Sequence, residues 1–495
     1  MTVHAPEILG ENERLRAENK LLSLRVKALE KELYGRRSDK RPAENPNQGV
    51  LPGIEESAAW EEPKEEVVRS SRKPERTGKK KGPKPLNPNL PRIPETVPDP
   101  DLKDLICPIT GSLMKAAFTE KIEVLARKPA EFYVREIIRT VFVSPGGDAV
   151  RYSPWPGNVL PKSRIDVSLI ATILTGRFAD HQPYHRQCEQ FRRHGIDLAP
   201  NTQVSLVRQA SEKLEPLYRA IIRHTLASGY LLMDPTPVPL MSDKKTGSTS
   251  EAALWTYRAL DGPVFFEFAT TKKGVTPAKT LEDYQGYLQT DGASNFGGVP
   301  SRPGVIHLGC WAHVRRYFVK AADAGELEAN PFLDEVDRLF YIERVMRRFP
   351  LEPALIMKLR KRHSQAVLDS LFGRAKKYAL TERMQKTPMA KAVTYMIKRE
   401  KELRACFAHA PSRIDNNLAE NALRPIKLGV KNWLFIGHEN AGPRTAMMFT
   451  FVENCRLSGI NPESWFADIL SRIDDHPASR IEELIPQNWV KSKNA

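Results

Sequence analysis

Two stretches decide the fold: Tyr230–Leu240, YLLMDPTPVPL, and Tyr287–Phe296, YLQTDGASNF. In the first, Tyr230–Met233 is a short apolar run that reads as a strand stopping at Asp234. In the second, Tyr287–Thr290 reads as another short strand, ending at Asp291. Between them Ala253–Leu260 and Pro263–Thr270 alternate around Asp261-Gly262, which predicts a hairpin. Pro277–Gly286 fits a helix. Val305–Gly309 reads as one more strand, and a helix follows through WAHVRRYF, Trp311–Phe318.

This order, three strands as a meander followed by a helix and a fourth strand, is that of the ribonuclease H-like α/β fold. In that fold the first and fourth strands are neighbours, so Asp234 and Asp291 are expected to meet at one sheet edge. Two unpaired carboxylates repel, and a divalent cation such as Mg²⁺ or Mn²⁺ relieves the cost. Two such ions, roughly 3.5–4 Å apart, clamp the attacking and leaving oxygens of a phosphodiester. A single Asp after a strand is commonly only a turn former, and it is the pair in one meander that points to metal chemistry.

A third acid stands in SRIDNNLAENALRPIKLGVKNWLFIGHENAG, Ser412–Gly442. A helix starting near Asp415 would carry Glu420, with Arg424 one turn on. Lys427 would share that face, but Pro425 is expected to kink or end the helix first. Three other acids compete for the role. Asp415 stands where its carboxylate would cap the helix. Glu439 sits in a loop-like stretch, and Glu453 lies in the apolar run MMFTFVENC.

The rest of the chain bounds the class. Its 495 residues suggest two to four domains. A formal net charge of +16 makes nucleic acid the default partner. No apolar run is long enough to span a bilayer, and no signal peptide opens the sequence, so a cytoplasmic protein is expected. The five cysteines are scattered and never spaced C-x-x-C, which argues against a disulfide framework.

Residues 1–40 read as a coiled coil: Ile8, Leu15, Leu22 and Leu29 repeat every seven residues, with Asn19, Val26 and Leu33 four residues on. Self-association is the expected consequence. Residues 41–92 are rich in Pro, Gly and charge and read as a disordered basic linker, whose Lys79, Lys80 and Lys81 suit DNA phosphates. Residues 93–160 read as a small β-rich module with Glu131–Val143 as a strand. In 161–225 one helix, a break at His194-Gly195 and a second helix from Asn201-Thr202 fit a helix-turn-helix arrangement, with Arg192 and Arg193 beside the break, although the pattern alone fits a plain helical hairpin better. The catalytic core is placed at 226–445, with a helical insertion at 321–410 rich in basic residues such as Arg344, Lys358 and Arg360. A helical region, 446–495, ends the chain.

Several long segments resemble the bacterial transposases of the insertion sequence 66 family, in the same order along nearly the whole chain. They are LYGRRSDK (Leu33–Lys40), DHQPYHRQCEQFRRHGI (Asp180–Ile196), LLMDPTPVPL (Leu231–Leu240), LQTDGASNF (Leu288–Phe296), GCWAHVRRYF (Gly309–Phe318), DNNLAENALRPIKLGVKNWLFIGHENAG (Asp415–Gly442) and the tail Gly459–Trp489. The resemblance implies an Asp-Asp-Glu triad, which falls on Asp234, Asp291 and Glu420, and a basic residue seven positions after the Glu, here Lys427. It also implies a divalent metal and terminal inverted repeats as the DNA substrate; target DNA and a homo-oligomer are the further partners expected, and helper proteins encoded by the same element are left open.

The chain departs from the family pattern at Pro235, where Glu is common, and at His438, where Ser is common. The paired cysteines of the family's zinc module are reduced to Cys107, so no structural zinc is expected. Cys310 and His313 form a C-x-x-H pair; packing is the favoured role for the first, and an auxiliary role near the scissile phosphate is open to the second. The leading reading is an active transposase. A DNA-binding regulator that no longer cuts is the alternative, and a structure-specific nuclease is a third.

Overall fold

The computed structural model describes residues 132–134, 141–143, 150–152, 165–243, 247–292, 296, 298–381 and 387–493. The coiled-coil segment, the basic linker with Lys79, Lys80 and Lys81, and Cys107 lie outside the described residues. Phe132, Tyr133 and Val134 are exposed and are not part of a strand. Within the described part of the expected strand Glu131–Val143, only β1 (Val141–Val143) is extended, paired antiparallel with β2 (Val150–Tyr152).

Three helices follow: α1 (Val167–Phe178), α2 (Tyr184–Arg192) and α3 (Pro200–Leu226). The break between α2 and α3 contains His194-Gly195, as expected. Next comes a five-stranded mixed sheet of β3 (Tyr230–Asp243), β4 (Ser248–Ala259), β5 (Val264–Ala269), β6 (Gly286–Gln289) and β7 (Val305–Leu308), in the order β5-β4-β3-β6-β7. Pairing is antiparallel for β3–β4 and β4–β5 and parallel for β3–β6 and β6–β7. The first and fourth strands of this sheet are therefore neighbours. The expected helix Pro277–Gly286 is shorter: α4 spans Val275–Thr280, and Gly286 opens β6 at φ +132°, where a side chain would strike the Gly229 carbonyl.

Strand β3 does not stop at Asp234. It continues to Asp243, paired with β4 along its length, despite Pro235, Pro237 and Pro239. Their spacing explains this. The Tyr230 carbonyl accepts from Leu260 N, on the β4 side, while the Gly229 carbonyl accepts from Tyr287 N, on the β6 side. Odd-numbered residues thus face away from β4, and β6 pairs only with residues 230–232. The three proline nitrogens point to an open edge, where no ladder bond is lost. Farther on, Ile436 closes that edge by bonding to Pro239 O and Met241 N.

Period-2 alternation divides the sheet between two cores. Leu231, Met233 and Leu288 face α1, α3, α12 (Ala441–Leu457) and α13 (Pro462–Arg472). Tyr230, Leu232 and Leu308 face α5 (Trp311–Asp323), α6 (Asn330–Met346), α8 (Gln365–Ala379), α9 (Pro388–Lys398) and α10 (Glu400–Ala408). Helix α7 (Pro353–His363) lies between α6 and α8 in the chain. The edge strand β5 is covered by α12: Asn454 bonds both N and O of Val264, and the Thr450 hydroxyl accepts from Phe266 N. Helix α3 buries Leu206, Ala210, Leu214, Leu217 and Ile221 in the first core, and Tyr218 donates its hydroxyl to Phe266 O.

Helix α11 (Asn417–Trp433) runs through Pro425 without ending there. Proline removes one backbone bond, and buried Leu423 and Ile426 on either side hold the helix in place by packing. Glu420 and Lys427 therefore share a continuous helix face. The chain ends in α14 (Pro486–Lys493).

Candidate active site

The register of the sheet places the two aspartates together. In the parallel β3–β6 pair, Leu232 faces Gln289. Asp234 and Asp291 each stand two residues beyond that last pair, near enough for the Asp291 carboxylate to act on Asp234, and strand alternation puts Asp234 on the face of Leu232. That face is the one carrying Tyr230 and Gln289, whose side chains bond across it at 2.8 Å. Gln289 also donates to the Gly309 and Arg413 carbonyls, both at 2.9 Å, so the base of the site is fully bonded.

Glu420 reaches the same place from α11. The buried Asn416 anchors the helix: its Nδ2 donates to Met233 O at 2.8 Å, on the open edge just before Asp234. Its backbone N donates to Cys310 Sγ at 3.3 Å. Glu420 stands one turn farther along and is nearly buried. Asp415 bonds the backbone N of Asn417 at 3.2 Å, the expected capping role. Glu439 is exposed, and Glu453 is buried in an ion pair with Arg456, so neither is free to join the other acids.

Burial, and then the carboxylates of Asp291 and Glu420, push Asp234 well above the usual carboxylate range, against the pull of Lys427 and Arg316. Lys427 is half-buried; desolvation lowers its pKa while Asp234 and Glu420 raise it. Arg424, one turn after Glu420, is exposed.

Glu420 also meets α5. Arg316 Nη2 donates to Glu420 Oε2 at 3.0 Å, and Arg316 Nη1 lies 3.2 Å from His313 Nε2. His313 Nδ1 is 3.6 Å from Glu420 Oε1. Desolvation and the Arg316 charge bring His313 down to about 4, so the ring is neutral at pH 7. An arginine only donates, so His313 Nε2 accepts and its proton sits on Nδ1, toward Glu420. Among the described residues the metal-donor side chains whose atoms close to within 4.8 Å of one another are Cys310, His313 and Glu420, not the three acids. Arg316 draws Glu420 toward α5, while the acids repel one another.

The residues fit a divalent cation on two observations. Glu420 Oε1 and Asn416 Oδ1 are buried with no hydrogen-bond partner. The effect of the two other acids on Asp234 is of the kind that a dication relieves. Cys310 is fully buried at the N-terminus of α5 and bonds Asn416, and burial raises its thiol well above the ordinary range, in keeping with packing.

The other expected site residues lie elsewhere. Arg192 and Arg193 are exposed at the end of α2, Arg192 paired with Glu189. Pro235 is partly exposed, and the exposed His438 accepts from Asn440 N at 3.1 Å. Arg360, one of the basic residues of the helical insertion, is buried and bidentate to Glu343 at 2.8 Å, and so is not available to DNA. Arg344 and Lys358 are exposed.

Sequence reasoning missed Arg316 and Asn416. Both lie inside quoted motifs, yet their roles depend on α5, α11 and β3 meeting, which no local spacing reveals.

Comparisons with known proteins point to one family. Residues 162–444 match the family described as Transposase IS66 family, and residues 450–487 match its C-terminal element. Residues 21–94 match the description Transposase C of IS166 homeodomain. The chain is 30% identical over 411 residues to the uncharacterized protein y4hP of Sinorhizobium fredii, covering 78% of this chain and 73% of that one. It is 27% identical over 506 residues to the uncharacterized protein y4qI of the same organism, covering 97% and 92%.

Proposed function

Since the chain belongs to the IS66 transposase family, we propose that it cuts and joins DNA at the terminal inverted repeats of its insertion sequence, using Asp234, Asp291 and Glu420. The family implies a DNA-processing, DNA-binding transposase that uses a divalent metal. The observation that carries the finer reading is the register: two aspartates each two residues past the Leu232–Gln289 pair, with Glu420 delivered beside them by α11. The strand order, with first and fourth strands adjacent and parallel, supports a ribonuclease H-like core.

Asp234, Asp291 and Glu420 would hold the metal, Mg²⁺ or Mn²⁺. When bound, the ion would offset the charge of the acids and polarise the phosphodiester. Arg316 keeps Glu420 on one side of the site, beside the neutral His313. Lys427, on the Glu420 face of α11, presents a cation to a phosphate entering between the acids and the helix. Arg424 extends that cationic line to the surface. Water cleaves the phosphodiester at the element's end and frees a 3′-hydroxyl; that hydroxyl then attacks a target phosphodiester, forming the new P–O bond and displacing the target strand's 3′-oxygen as a hydroxyl, with no covalent enzyme intermediate.

The remaining roles in this reading belong to the rest of the chain. Residues 1–40 self-associate, Lys79, Lys80 and Lys81 track phosphates, and the helices around Arg192 and Arg193 bind the element's ends.

The test is strand nicking of a labelled duplex taken from the DNA that flanks the gene. Asp234→Asn and Asp291→Asn should each abolish Mg²⁺-dependent nicking while a gel shift on the same duplex survives. Near wild-type nicking by either variant overturns the reading.

A further inference from the structure

Asp291 stands two residues past the end of β6, where the β-ladder has stopped, yet its backbone is held from two sides. On the sheet side, Thr290 N donates to Leu308 O at 3.1 Å. The Thr290 hydroxyl accepts from Gly292 N at 3.0 Å and lies 2.9 Å from His307 Nε2. On the other side stand residues of the helical segment between β7 and α11. Tyr395, on α9, donates its hydroxyl to the Asp291 carbonyl at 2.5 Å. Arg399, where α9 meets α10, donates to the Gly292 carbonyl through Nε at 3.0 Å and also through Nη2.

The clamp is itself supported. The Arg399 guanidinium lies over the Tyr395 ring at 4.2 Å, and that ring packs at 4.7 Å against Tyr317 of α5. Burial pushes the Tyr395 hydroxyl above its ordinary range, so it remains a donor at any working pH. Gly292 has φ +80°, and a side chain there would strike Arg399. The turn and the arginine fit each other only with glycine at this position.

We propose that Tyr395 and Arg399 are positioning residues that fix the Asp291–Gly292 turn and so set the site's affinity for its divalent metal. This rests on the metal-site reading above. The physical reason is the tolerance of a metal ligand: its backbone must be fixed to roughly 0.5 Å, and groups behind the ligands commonly set affinity. Three-point anchoring by Thr290, Tyr395 and Arg399 does for Asp291 what strand pairing does for Asp234. The helical segment is then part of the catalytic apparatus and not only a carrier of basic surface.

The experiment is calorimetric titration of Mn²⁺ into the full chain, alongside Mn²⁺-dependent nicking of a supercoiled plasmid carrying the gene with its flanking DNA. The variants are Arg399→Gln, Arg399→Lys, Tyr395→Phe and Asp291→Asn. Arg399→Gln should weaken Mn²⁺ binding about 10–100-fold and raise the half-saturating Mn²⁺ for nicking by the same factor. Its maximal rate should largely return at saturating Mn²⁺. Arg399→Lys, which keeps a donor, should restore most of the affinity. Tyr395→Phe, which keeps the ring, should shift affinity in the same direction by less. Lower melting temperatures with unchanged Mn²⁺ affinity would mean a merely structural role and overturn the proposal. Wild-type affinity in Arg399→Gln and Tyr395→Phe, with Asp291→Asn inactive, overturns this proposal alone. Wild-type behaviour of Asp291→Asn overturns the metal-site reading together with it.

Discussion

Glu343 and Glu420 are both nearly buried carboxylates facing an arginine, and they are satisfied in opposite ways. Glu343, on α6, takes a bidentate grip from Arg360, with both contacts at 2.8 Å and both side chains almost fully enclosed. The remaining Arg360 donors go to His409 O, Ser412 O and Ser412 Oγ. Nothing in that pair is left over, and it fastens the insertion to the segment leading into α11. Glu420 receives one bond, from an Arg316 that is 31% exposed, and keeps an unpartnered buried oxygen. Its charge acts on Asp234, which also feels Asp291. A closed ion pair is architecture, whereas an acid left with spare acceptor capacity beside other acids is suited to a cation.

The sharpest way to break this comparison is to remove one member of the closed pair. Arg360→Met leaves Glu343 buried and alone, and should cost about 3–5 kcal/mol in denaturant unfolding. Replacing both, with Glu343→Leu and Arg360→Met, should recover most of that loss, because a buried pair contributes little net stability over apolar packing. A double variant as unstable as the single one would show that the Ser412 and His409 bonds, and not the charge pair, carry the anchor.

The open site should respond to metal where the closed pair does not. At about one hundred times its Kd, Mn²⁺ should stabilise the wild type by about 2.7 kcal/mol. The matching rise in melting temperature should vanish in Asp234→Asn. In chelator the sign reverses. Asp234 has a raised folded pKa, so its contribution to stability is greatest below the unfolded pKa and is lost as pH rises through the folded value. Asp234→Asn should therefore melt above wild type at pH 7 without metal, while failing to nick. A lower melting temperature in chelator would contradict the crowding of acids inferred here.

A smaller effect is expected at the helix start. Asp415→Asn keeps a capping side chain for Asn417 N, and should leave stability within about 0.5 kcal/mol and nicking measurable.

The sheet and the pair of aspartates were legible because β-periodicity is local and the Asp-Gly hairpin marks its own turn. The strand end at Asp234 was misread, since prolines argue against a strand unless their nitrogens are known to face an open edge, and that depends on where β6 stops. Pro425 misled in the same way: the packing of Leu423 and Ile426 carries α11 across it. Arg360 read as surface charge because its partner, Glu343, lies seventeen residues away across a helix break. Arg316, Asn416, Tyr395 and Arg399 act through contacts between elements distant in sequence, so no spacing announces them.

The most direct test of the central claim compares Glu420→Gln with wild type on one labelled duplex from the DNA flanking the gene, by nicking in Mg²⁺ and by gel shift. Glutamine keeps the size of the side chain and removes its charge. The account predicts that nicking is lost while the shifted complex forms with wild-type affinity. Nicking by Glu420→Gln at near the wild-type rate would contradict it, as would an Asp415→Asn protein that binds and folds normally yet cannot cut.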